Sequence, residues 1–322
     1  MVKFSTVEAD QTHELFNNIF QPTVTHEVLL SALSSGGGFQ AFAAWEWVAS
    51  GDNVKAWHSI YHGLDPMAGV NTDPARFPIN INQYGLLSVD MSNVTVRGDG
   101  RWCLAFDLFL YRQAPYVQEN VQAEIFIVLK RQNYAVPTAT DSFTANGVTW
   151  NHGQWGPGTL HVFWSTAELP TTFTFSGFNF YPFINHLLSH AAISGNEILT
   201  GVYFGAEPID GSGYWRTESY HVNLMSARPC FAYMKNLQDV ELPNGYLLVD
   251  GVRVNYYQTI SLIPGTTHTF TAGTLAGHSF RYFLRWYWPS WIYIDKVTSS
   301  SFTWPLPTPP GSDGWAVVAY YT

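Results

Sequence analysis

The stretch of sequence that decides the fold is LTGVYFGAEPIDGSGYWRTESYHVNL, residues 199–224. Hydrophobic and aromatic residues alternate in it with small ones, which is the two-residue period of a β-strand. One acid, Glu207, interrupts the pattern just before a proline and a glycine-rich segment that predicts a loop. Placing a carboxylate among apolar strand residues costs free energy, so Glu207 is a candidate functional residue.

Alternating runs of the same kind recur along the chain, bounded by Gly, Asn, Pro and Ser. The clearest are residues 39–49, 85–96, 101–111, 123–132 and 159–167. Short strands at this spacing predict an all-β protein built as an antiparallel jelly-roll sandwich. Residues 180–194 have apolar positions at helical spacing instead, which predicts one helix packed on the outside of the sandwich.

The residue composition changes at residues 229–245, where turn-forming and charged residues predict a linker. We therefore expect a jelly roll over residues 1–233 and a small β-sandwich accessory domain over residues 234–322. The second region contains RWYWPSWIY, residues 285–293. Its aromatic side chains would either fill a small sandwich core, which we favour, or form a carbohydrate-binding platform. An exposed row of Trp288 and Trp291 would favour the platform.

Composition excludes several classes of function. Only 12% of the 322 residues are charged, 16% are aromatic, and the net charge is -9. With an isoelectric point near 5.6 the chain is no candidate nucleic-acid binder, and a neutral substrate fits better. No window approaches the ~20 apolar residues of a membrane span. The first sixteen residues lack the apolar segment of a signal peptide.

The sequence offers no pattern for a metal, a phosphate or a serine nucleophile. The glycine-rich stretch at residues 34–40 lacks the Lys-Ser/Thr of a phosphate loop, and no G-x-S-x-G occurs. Two cysteines, Cys103 and Cys230, form no disulfide framework, and their pairing is left open. We predict no cofactor and no metal site, because six histidines lack Cys or acids at ligand spacing. These are His13, His26, His58, His62, His152 and His161.

Three predicted strands each place one acid on the face opposite their core row, since residues two apart share a face. In AEIFIVL, residues 123–129, Glu124 lies opposite the isoleucine row, and in LAFDLFL, residues 104–110, Asp107 lies opposite the Phe-Leu row. Glu207 shares its face with a tyrosine and a glycine. A short connection makes the strands of Asp107 and Glu124 plausible neighbours, whereas only the fold can bring Glu207 close to them.

Two carboxylates across an aromatic cleft indicate glycoside hydrolysis. One acts as nucleophile, and the other acts first as general acid and then as general base. A third acid beside the nucleophile would tune its pKa. Two other interpretations remain open: the acids are merely solvated, or the chain is a non-catalytic glycan-binding protein on the same scaffold.

Six motifs carry a resemblance to a known family and occur in its order. They are NNIF (17–20), AAWEWVASGDNVKAW (43–57), LAFDLFL (104–110), AEIFIVL (123–129), FSGFNFYPFINHLL (175–188) and YFGAEPIDGSG (203–213). Over residues 15–226 the chain thereby resembles the β-1,4-endoglucanases of glycoside hydrolase family 12. The resemblance says nothing about residues 236–322.

The resemblance implies a curved jelly roll with an open cleft for a β-glucan chain. It implies that Glu124 is the nucleophile and Glu207 the acid/base of a retaining reaction, with Asp107 hydrogen-bonded to the nucleophile. The substrate-binding residues that it implies are Asn18, Phe20, Trp45, Trp47, Phe126, Tyr203 and Pro208. The chain departs from the family pattern at Phe20, Phe126 and Val128, which replace Trp, Met and Trp, and at Ala44, which replaces Asp.

These observations together predict a retaining endo-β-1,4-glucanase acting on cellulose-type β-glucan. The alternative is a xyloglucanase or a mixed-linkage β-1,3-1,4-glucanase, for which the replacement of a bulky Trp by Val128 would make room. We expect a monomer without nucleic-acid or membrane partners. A secreted location follows from the substrate, because a polymer of this kind does not enter a cell.

Overall fold

The computed structural model describes residues 4–8, 14–19, 26–35, 38–47, 51–67, 69–83, 86–156, 158–225, 228–262, 267–306 and 314–322. The chain divides into two compact units, Met1–Gln83 with Leu87–Asn223, and Tyr84–Leu86 with Leu224–Thr322. In the strands before residue 41 only the side chain of Leu15 is described. The structure therefore says nothing of two predicted substrate-binding side chains. Phe20 lies outside the described residues, and the side chain of Asn18 is not described.

Among its described residues, the first unit contains seventeen strands and one α-helix. The strands are β1 (Phe4–Glu8), β2 (Glu14–Ile19), β3 (His26–Ser35), β4 (Gly38–Trp47), β5 (Ala56–Asp65), β6 (Val70–Asn71), β7 (Ile79–Asn80), β8 (Leu86–Gly98), β9 (Arg101–Tyr111), β10 (Val121–Gln132), β11 (Asp141–Ala145), β12 (Val148–Trp155), β13 (Leu160–Ser165), β14 (Thr172–Asn179), β15 (Ile198–Leu199), β16 (Gly201–Thr217) and β17 (Ser219–Met225). Helix α1 (Tyr181–Ser189) follows β14. The predicted all-β jelly roll with one helix is confirmed.

The strands of the first unit form two sheets that share β16. In one sheet β1, β2, β5, β16, β9, β10, β13, β12 and β11 lie side by side in that order. All of these neighbours are antiparallel except β10 and β13, which are parallel. In the other sheet the order is β3, β4, β16, β8 and β14. The order puts β9 between the strands that carry Glu124 and Glu207.

The long strand β16 passes from one sheet to the other. Its first half pairs with β5 and its second half with β4, and its register against β9 shifts between Pro208 and Asp210. The glycine-rich segment that predicted a loop is therefore part of a strand. Glycine is needed there because a Cβ on Gly213 would lie 2.4 Å from the Trp45 ring, and Gly211 has a φ of +83°.

Helix α1 packs its apolar face inward through Phe183, Ile184 and Leu187, which are buried. The predicted helix ran to residue 194, but the observed one ends at Ser189 because Ala191 adopts a φ of 55°. No helix in the described part of the chain is long and apolar enough to cross a membrane.

The face of the first sheet that carries the three acids is less open than the alternation predicted. Phe126 and Val128 share that face with Glu124, yet both are buried in an apolar cluster. The cluster also contains Trp57, Tyr134 and Trp164. The acids therefore stand at the edge of packed aromatic side chains, which lowers the local dielectric and strengthens every charge effect.

The part of the second unit that the structure describes contains nine strands. They are β18 (Arg228–Asn236), β19 (Tyr246–Val249), β20 (Val252–Asn255), β21 (Thr259–Leu262), β22 (Thr267–Ala272), β23 (Phe280–Trp288), β24 (Ile292–Val297), β25 (Ser301–Pro305) and β26 (Gly314–Tyr321). A five-stranded sheet has the order β21-β18-β26-β23-β24, and a four-stranded sheet has the order β20-β19-β22-β25. The predicted small C-terminal β-sandwich is thus present.

The predicted linker at residues 229–245 is largely not a linker. Its first part is β18, which pairs in parallel with β26 and antiparallel with β21. The alternate residues Cys230, Ala232 and Met234 of β18 enter the core of the second unit. Because these contacts are made within the second unit, its main segment begins near Leu224. The residue composition had instead suggested a boundary between residues 233 and 234.

Candidate active site

Three neighbouring strands present the acids on one face. In the antiparallel register, Asp107 on β9 lies opposite Phe126 on β10 and Tyr203 on β16. Along β9, Glu124 lies opposite Phe109, beyond Asp107 in one direction, and Glu207 lies opposite Cys103, beyond Asp107 in the other direction. All of these residues share one face of the sheet. The expectation that the strands of Asp107 and Glu124 are neighbours is confirmed by this pairing.

All three acids line one cavity of about 470 Å³ in the first unit. Most of its other lining side chains are aromatic or apolar, and the polar groups converge at the three carboxyls. The lining residues besides the acids are Trp57, Pro66, Met67, Phe109, Tyr111, Tyr116, Val117, Gln118 and Tyr203. A cavity of this size with aromatic walls and a few convergent polar groups has the usual form of a small-molecule or sugar site.

Glu207 accepts a hydrogen bond from the hydroxyl of Tyr134, with 2.5 Å between Oη and Oε2. Burial raises the pKa of Glu207 to about 7, and the Tyr134 hydrogen bond works in the opposite direction because it stabilises the ionised carboxylate. A carboxyl with a pKa near neutrality can both donate and accept a proton under ordinary conditions, as a general acid/base requires.

Burial also raises the pKa of Glu124, and the negative charge of Glu207 raises it further. Both carboxyls are therefore shifted in the same direction. Which of them ionises first depends on which one receives a hydrogen bond from a neighbouring donor.

Asp107 is the most enclosed of the three acids. Burial raises its pKa well above the ordinary range, and the charges of Glu124 and Glu207 add to the effect. Its Oδ1 atom is buried and makes no hydrogen bond with any residue that the structure describes. A carboxyl in this position is expected to hold a proton, and so to donate a hydrogen bond rather than carry a charge.

The aromatic walls are held by contacts among themselves. The Tyr203 ring packs on Tyr61 and, edge-on, on Phe109, with centroids 5.5 and 5.9 Å apart. Tyr111 meets Tyr116 edge-on at 5.4 Å, and Trp57 rests on Phe126 at 5.9 Å. The rings are thus fixed before any ligand binds, which reduces the ordering cost of binding.

The structure separates the proposed substrate-binding residues. Tyr203 lines the cavity, whereas Phe126 is buried and packs against Trp57, which does line it. Trp45 and Trp47 are buried at 3% and 2% exposure and pack on His58, and Pro208 is buried in the strand. None of these last three lines the cavity.

Sequence reasoning missed several cavity residues. Of the cavity lining, it missed Trp57 on β5 and Tyr116 and Gln118 in the connection between β9 and β10. It also missed Tyr134, which lies two residues after β10 and contacts Glu207 without being one of the lining residues. None of them lies at a strand position where the alternation of core and outward-facing residues predicts that the side chain faces the cavity. Tyr134 is placed by the fold, because its partner Glu207 is far away along the chain.

The histidines contradict the sequence interpretation at two points. Nε2 of His62 lies 2.8 Å from Oδ2 of Asp73. His152 was expected to lack an acid at ligand spacing, yet its Nδ1 lies 3.2 Å from Oδ1 of Asp141, and its Nε2 lies 3.2 Å from Nδ1 of His161. His186 and His190 of the helix end join the same group. Cross-strand pairing of β11 with β12 creates this cluster, which residue spacing does not reveal. Both cysteines, in contrast, are free and buried.

Comparison with known proteins gives one sequence relative and many structural ones. No family model matches the chain. The sequence is 26% identical over 199 residues to the xyloglucan-specific endo-β-1,4-glucanase A of Emericella nidulans, an alignment that covers 59% of this chain and 75% of that protein.

Among solved structures, the family 12 xyloglucanase of Bacillus licheniformis matches with a TM-score of 0.56 at 19% identity, covering 69% of this chain and 99% of its own. Endoglucanase 3 of Trichoderma harzianum, from the same family, matches with a TM-score of 0.57 at 19% identity, covering 69% and 95%. Endoglucanase Cel12A of Rhodothermus marinus gives 0.57 at 18% identity, covering 70% and 97%. The fold of the matched part is therefore that of the family 12 enzymes.

Proposed function

We propose, from the premise that this chain is a glycoside hydrolase with the family 12 fold, that it cleaves internal bonds of a β-1,4-glucan with retention of configuration. The observation that carries the proposal is the convergence of Asp107, Glu124 and Glu207 on one aromatic-walled cavity. Separate strands supply the three acids, and burial raises the pKa of each of them.

In the first step Glu207 would give its proton to the glycosidic oxygen while Glu124 attacks the anomeric carbon. The bond from that carbon to the leaving oxygen breaks, and an ester with Glu124 forms. In the second step Glu207 takes a proton from water, the water oxygen attacks the anomeric carbon, and the ester bond to Glu124 breaks. Two inversions at one carbon give net retention.

In these two reaction steps Asp107 acts as a positioning residue. With its own proton retained by burial, it would donate a hydrogen bond to Glu124 and favour the ionised form of the nucleophile. The mechanism needs Glu124 charged while Glu207 still holds its proton, so this donation would have to outweigh the Tyr134 hydrogen bond that favours the ionised form of Glu207.

The polymer acted on is cellulose-type β-glucan or xyloglucan. The Emericella relative and the Bacillus structure are named as xyloglucan enzymes, whereas the Trichoderma and Rhodothermus structures are named as endoglucanases. Space created at Val128 gives no reason to prefer xyloglucan, because Val128 is 2% exposed and does not line the cavity. Either polymer would place the site of action outside the cell.

Replacement of either glutamate tests the mechanism. Glu124→Gln and Glu207→Gln should each lower the release of reducing ends from soluble β-glucan by ~10³-fold, since each removes a covalent or proton-transfer step. Glu119→Gln is the matched control, because Glu119 is exposed in the turn just before β10 and does not line the cavity. Normal rates in both cavity variants would exclude the proposal. A panel of cellulose derivative, xyloglucan and mixed-linkage glucan identifies the polymer.

We also propose that the second unit binds a glucan chain. The face of its five-stranded sheet that points away from its own core is aromatic, although the outer face of a sandwich is usually polar. The residues that share this face are Phe231, Tyr233, Trp286, Trp288 and Tyr320, with Ala316 and Val318 between them. Trp288 is only half buried and packs on Phe231 with ring centroids 4.0 Å apart.

A cavity of about 460 Å³ lies on this face. Tyr233 is buried in it, and two exposed rings contact Tyr233: Trp291 at 5.7 Å and Tyr257 at 5.6 Å. Trp291 is 48% and Tyr257 64% exposed. Hydrogen-bonding groups stand beside them on Lys235, Asp239 and Glu241. Flat rings next to polar groups match a sugar, which has apolar faces and a rim of hydroxyls.

Backbone strain supports a ligand here. Tyr257 and Trp291 hold φ angles of 61° and 53°, and Asp239 in the same cavity has 65°. A bulky residue in this region costs roughly 1–3 kcal/mol, and such costs concentrate at ligand sites. An exposed aromatic ring kept at that cost is better explained by a ligand than by core packing.

Affinity electrophoresis of the full chain through gels with and without soluble β-glucan tests this site. Trp291→Ala combined with Tyr257→Ala should weaken retardation about tenfold, with unchanged hydrolysis of a short cello-oligosaccharide. Ile292→Ala is the control, since Ile292 is 50% exposed and lies outside the cavity. Equal retardation of the double variant and the control would leave only a stabilising role for the unit.

A further inference from the structure

Four histidines and one aspartate gather in the first unit, away from the cavity that holds the acids. Asp141 and His152 lie directly opposite each other on β11 and β12. His186 is in the last turn of α1, and His190 is the residue at its C-terminal cap, one helical turn later. The two helix histidines thereby share one face of the helix, which points at Asp141.

The cluster is on the opposite side of the sheet from Glu124. Strand β13 pairs in parallel with β10, with Leu160 beside Glu124 and His161 beside Ile125. Leu160 packs against the apolar cluster under the cavity, so the alternate residue His161 faces the other side, towards His152. Whatever the histidines do is therefore separate from the chemistry of the acids.

Three atoms of the cluster form a nearly equilateral triangle. Oδ1 of Asp141 lies 3.2 Å from Nδ1 of His152 and 3.2 Å from Nε2 of His186, and these two nitrogens are 3.1 Å apart. A tetrahedral zinc ion with ligands at about 2.0–2.1 Å needs ligand atoms about 3.4 Å from each other. One proton can bridge two of the three atoms, whereas a cation between them satisfies all three.

His190 adds a fourth donor whose tautomer is fixed. Its Nδ1–H donates a hydrogen bond to the main-chain carbonyl of His186, 2.8 Å away. The neutral ring then has a bare Nε2, and this atom lies 2.9 Å from Oδ2 of Asp141, which is also an acceptor. Two acceptors at that distance require a positive charge nearby, either a second proton on His190 or a metal ion.

The surroundings hold the rings in place as a metal site requires. The His186 ring stacks on Phe143 at 4.4 Å, and the His152 ring stacks on Phe163 at 4.6 Å. The far nitrogen of His152 meets His161 at 3.2 Å, so a hydrogen bond from Nε2–H can keep Nδ1 free for an ion. Asp141, His186 and His190 by themselves already bring one ligand atom each within 4.8 Å.

We propose that Asp141, His186 and His190 bind one divalent transition-metal ion, with His152 beside them on the Oδ1 side of Asp141, and that Zn²⁺ is the ion that the nitrogen and oxygen donors fit best. Bound there, the ion ties the end of α1 to the β11–β12 hairpin. It stabilises the jelly roll and takes no part in cleavage, so the proposal does not depend on the proposed function.

Metal content and thermal stability test the site without an activity assay. The full chain, produced without a histidine tag, is stripped with EDTA, incubated with Zn²⁺ and desalted, and its zinc is measured by mass spectrometry. We expect about one ion per chain. At a hundredfold excess over its dissociation constant, Zn²⁺ should raise the Tm by about 5 °C or more.

Two variants isolate the ligands. His190→Ala removes a half-exposed ring and Asp141→Asn removes the central charge, so both should fold and both should lose the bound zinc and the Tm response. His221→Ala, at an exposed histidine of the same unit, should keep both. The proposal is overturned if the unaltered chain keeps no zinc after desalting, or if Zn²⁺ stabilises the two ligand variants as much as the control. In that case a protonated His190 accounts for the cluster.

Discussion

At the scale of single residues, the contact between Tyr134 and Glu207 has the most direct consequence for the chemistry. The hydroxyl donates to the carboxylate and so favours its ionised form. The sulfur of Cys103 is within hydrogen-bond reach of the same hydroxyl, which ties Tyr134 to β9 as well. Tyr134 is a positioning residue, because it acts on the substrate only through Glu207.

Removing that hydroxyl should change the pH dependence of cleavage. In Tyr134→Phe the ionised form of Glu207 loses a donor, so the pKa of Glu207 should rise by roughly one unit. The alkaline limb of kcat/KM then moves to higher pH by the same amount, as measured on a soluble β-glucan between pH 5 and 9.

Tyr116→Phe provides the control, since Tyr116 lines the cavity beside Tyr111 without contacting Glu207. A change in rate with an unmoved alkaline limb would assign Tyr134 a purely structural role.

At the scale of elements, β16 carries the greatest constraint, because it belongs to both sheets and holds Glu207. Gly205 lies where β16 passes β5, and a Cβ there would come within 2.0 Å of the carbonyl oxygen of His58. The obstructing atoms are main chain, so no rotation of a side chain relieves the contact. The strand can approach its neighbour this closely only without a side chain at Gly205.

Gly205→Ala should therefore destabilise the first unit by about 2–3 kcal/mol through overpacking. The corresponding fall in Tm is roughly 5–10 °C, measured by differential scanning fluorimetry. Gly158→Ala is the matched control, because a Cβ at Gly158 meets nothing within 4 Å. If both variants melt at the same temperature, the close approach of the two strands is wrong.

At the scale of the whole molecule, the buried acids connect function with stability. Burial raises the pKa of Glu207, Glu124 and Asp107 in the folded chain above the values of unfolded carboxyls. The folded chain consequently binds more protons than the unfolded chain between about pH 4 and 7. Their contribution to stability is complete below about pH 4 and is lost as the pH rises through the folded-state pKa values, about 7 for Glu207 and about 8 for Glu124.

Glu207→Gln should become more stable than the unaltered chain as the pH rises. The advantage is small at pH 5 and on the order of 2 kcal/mol at pH 8, because the glutamine carries no buried charge. Chemical denaturation at both pH values measures it. Buried histidines such as His161, whose pKa is lowered by burial, oppose the trend below pH 6.5 but cancel between the two proteins. An equal difference at both pH values would contradict the raised pKa of Glu207.

Much of the fold could be predicted because burial leaves a local trace. Strands such as Arg101–Tyr111 and the helix at Tyr181 were predicted from the period of apolar residues, which records which side of an element faces the core. The glycine-rich part of β16 and the strand β18 were predicted incorrectly. Turn-forming residues there serve close packing and pairing with distant strands, which composition does not reveal.

The candidate site, like the fold, could be predicted from the sequence only in part. The sequence by itself determined that Asp107, Glu124 and Glu207 stand on strands opposite their core rows, and it carried the family resemblance. Only the tertiary structure decided that β9 runs between the other two strands, that Tyr134 reaches Glu207, that Trp45 and Trp47 are buried, and that distant histidines surround Asp141. Side-chain direction alternates within one strand and is a local property, whereas strand pairing is chosen by the burial of the whole chain.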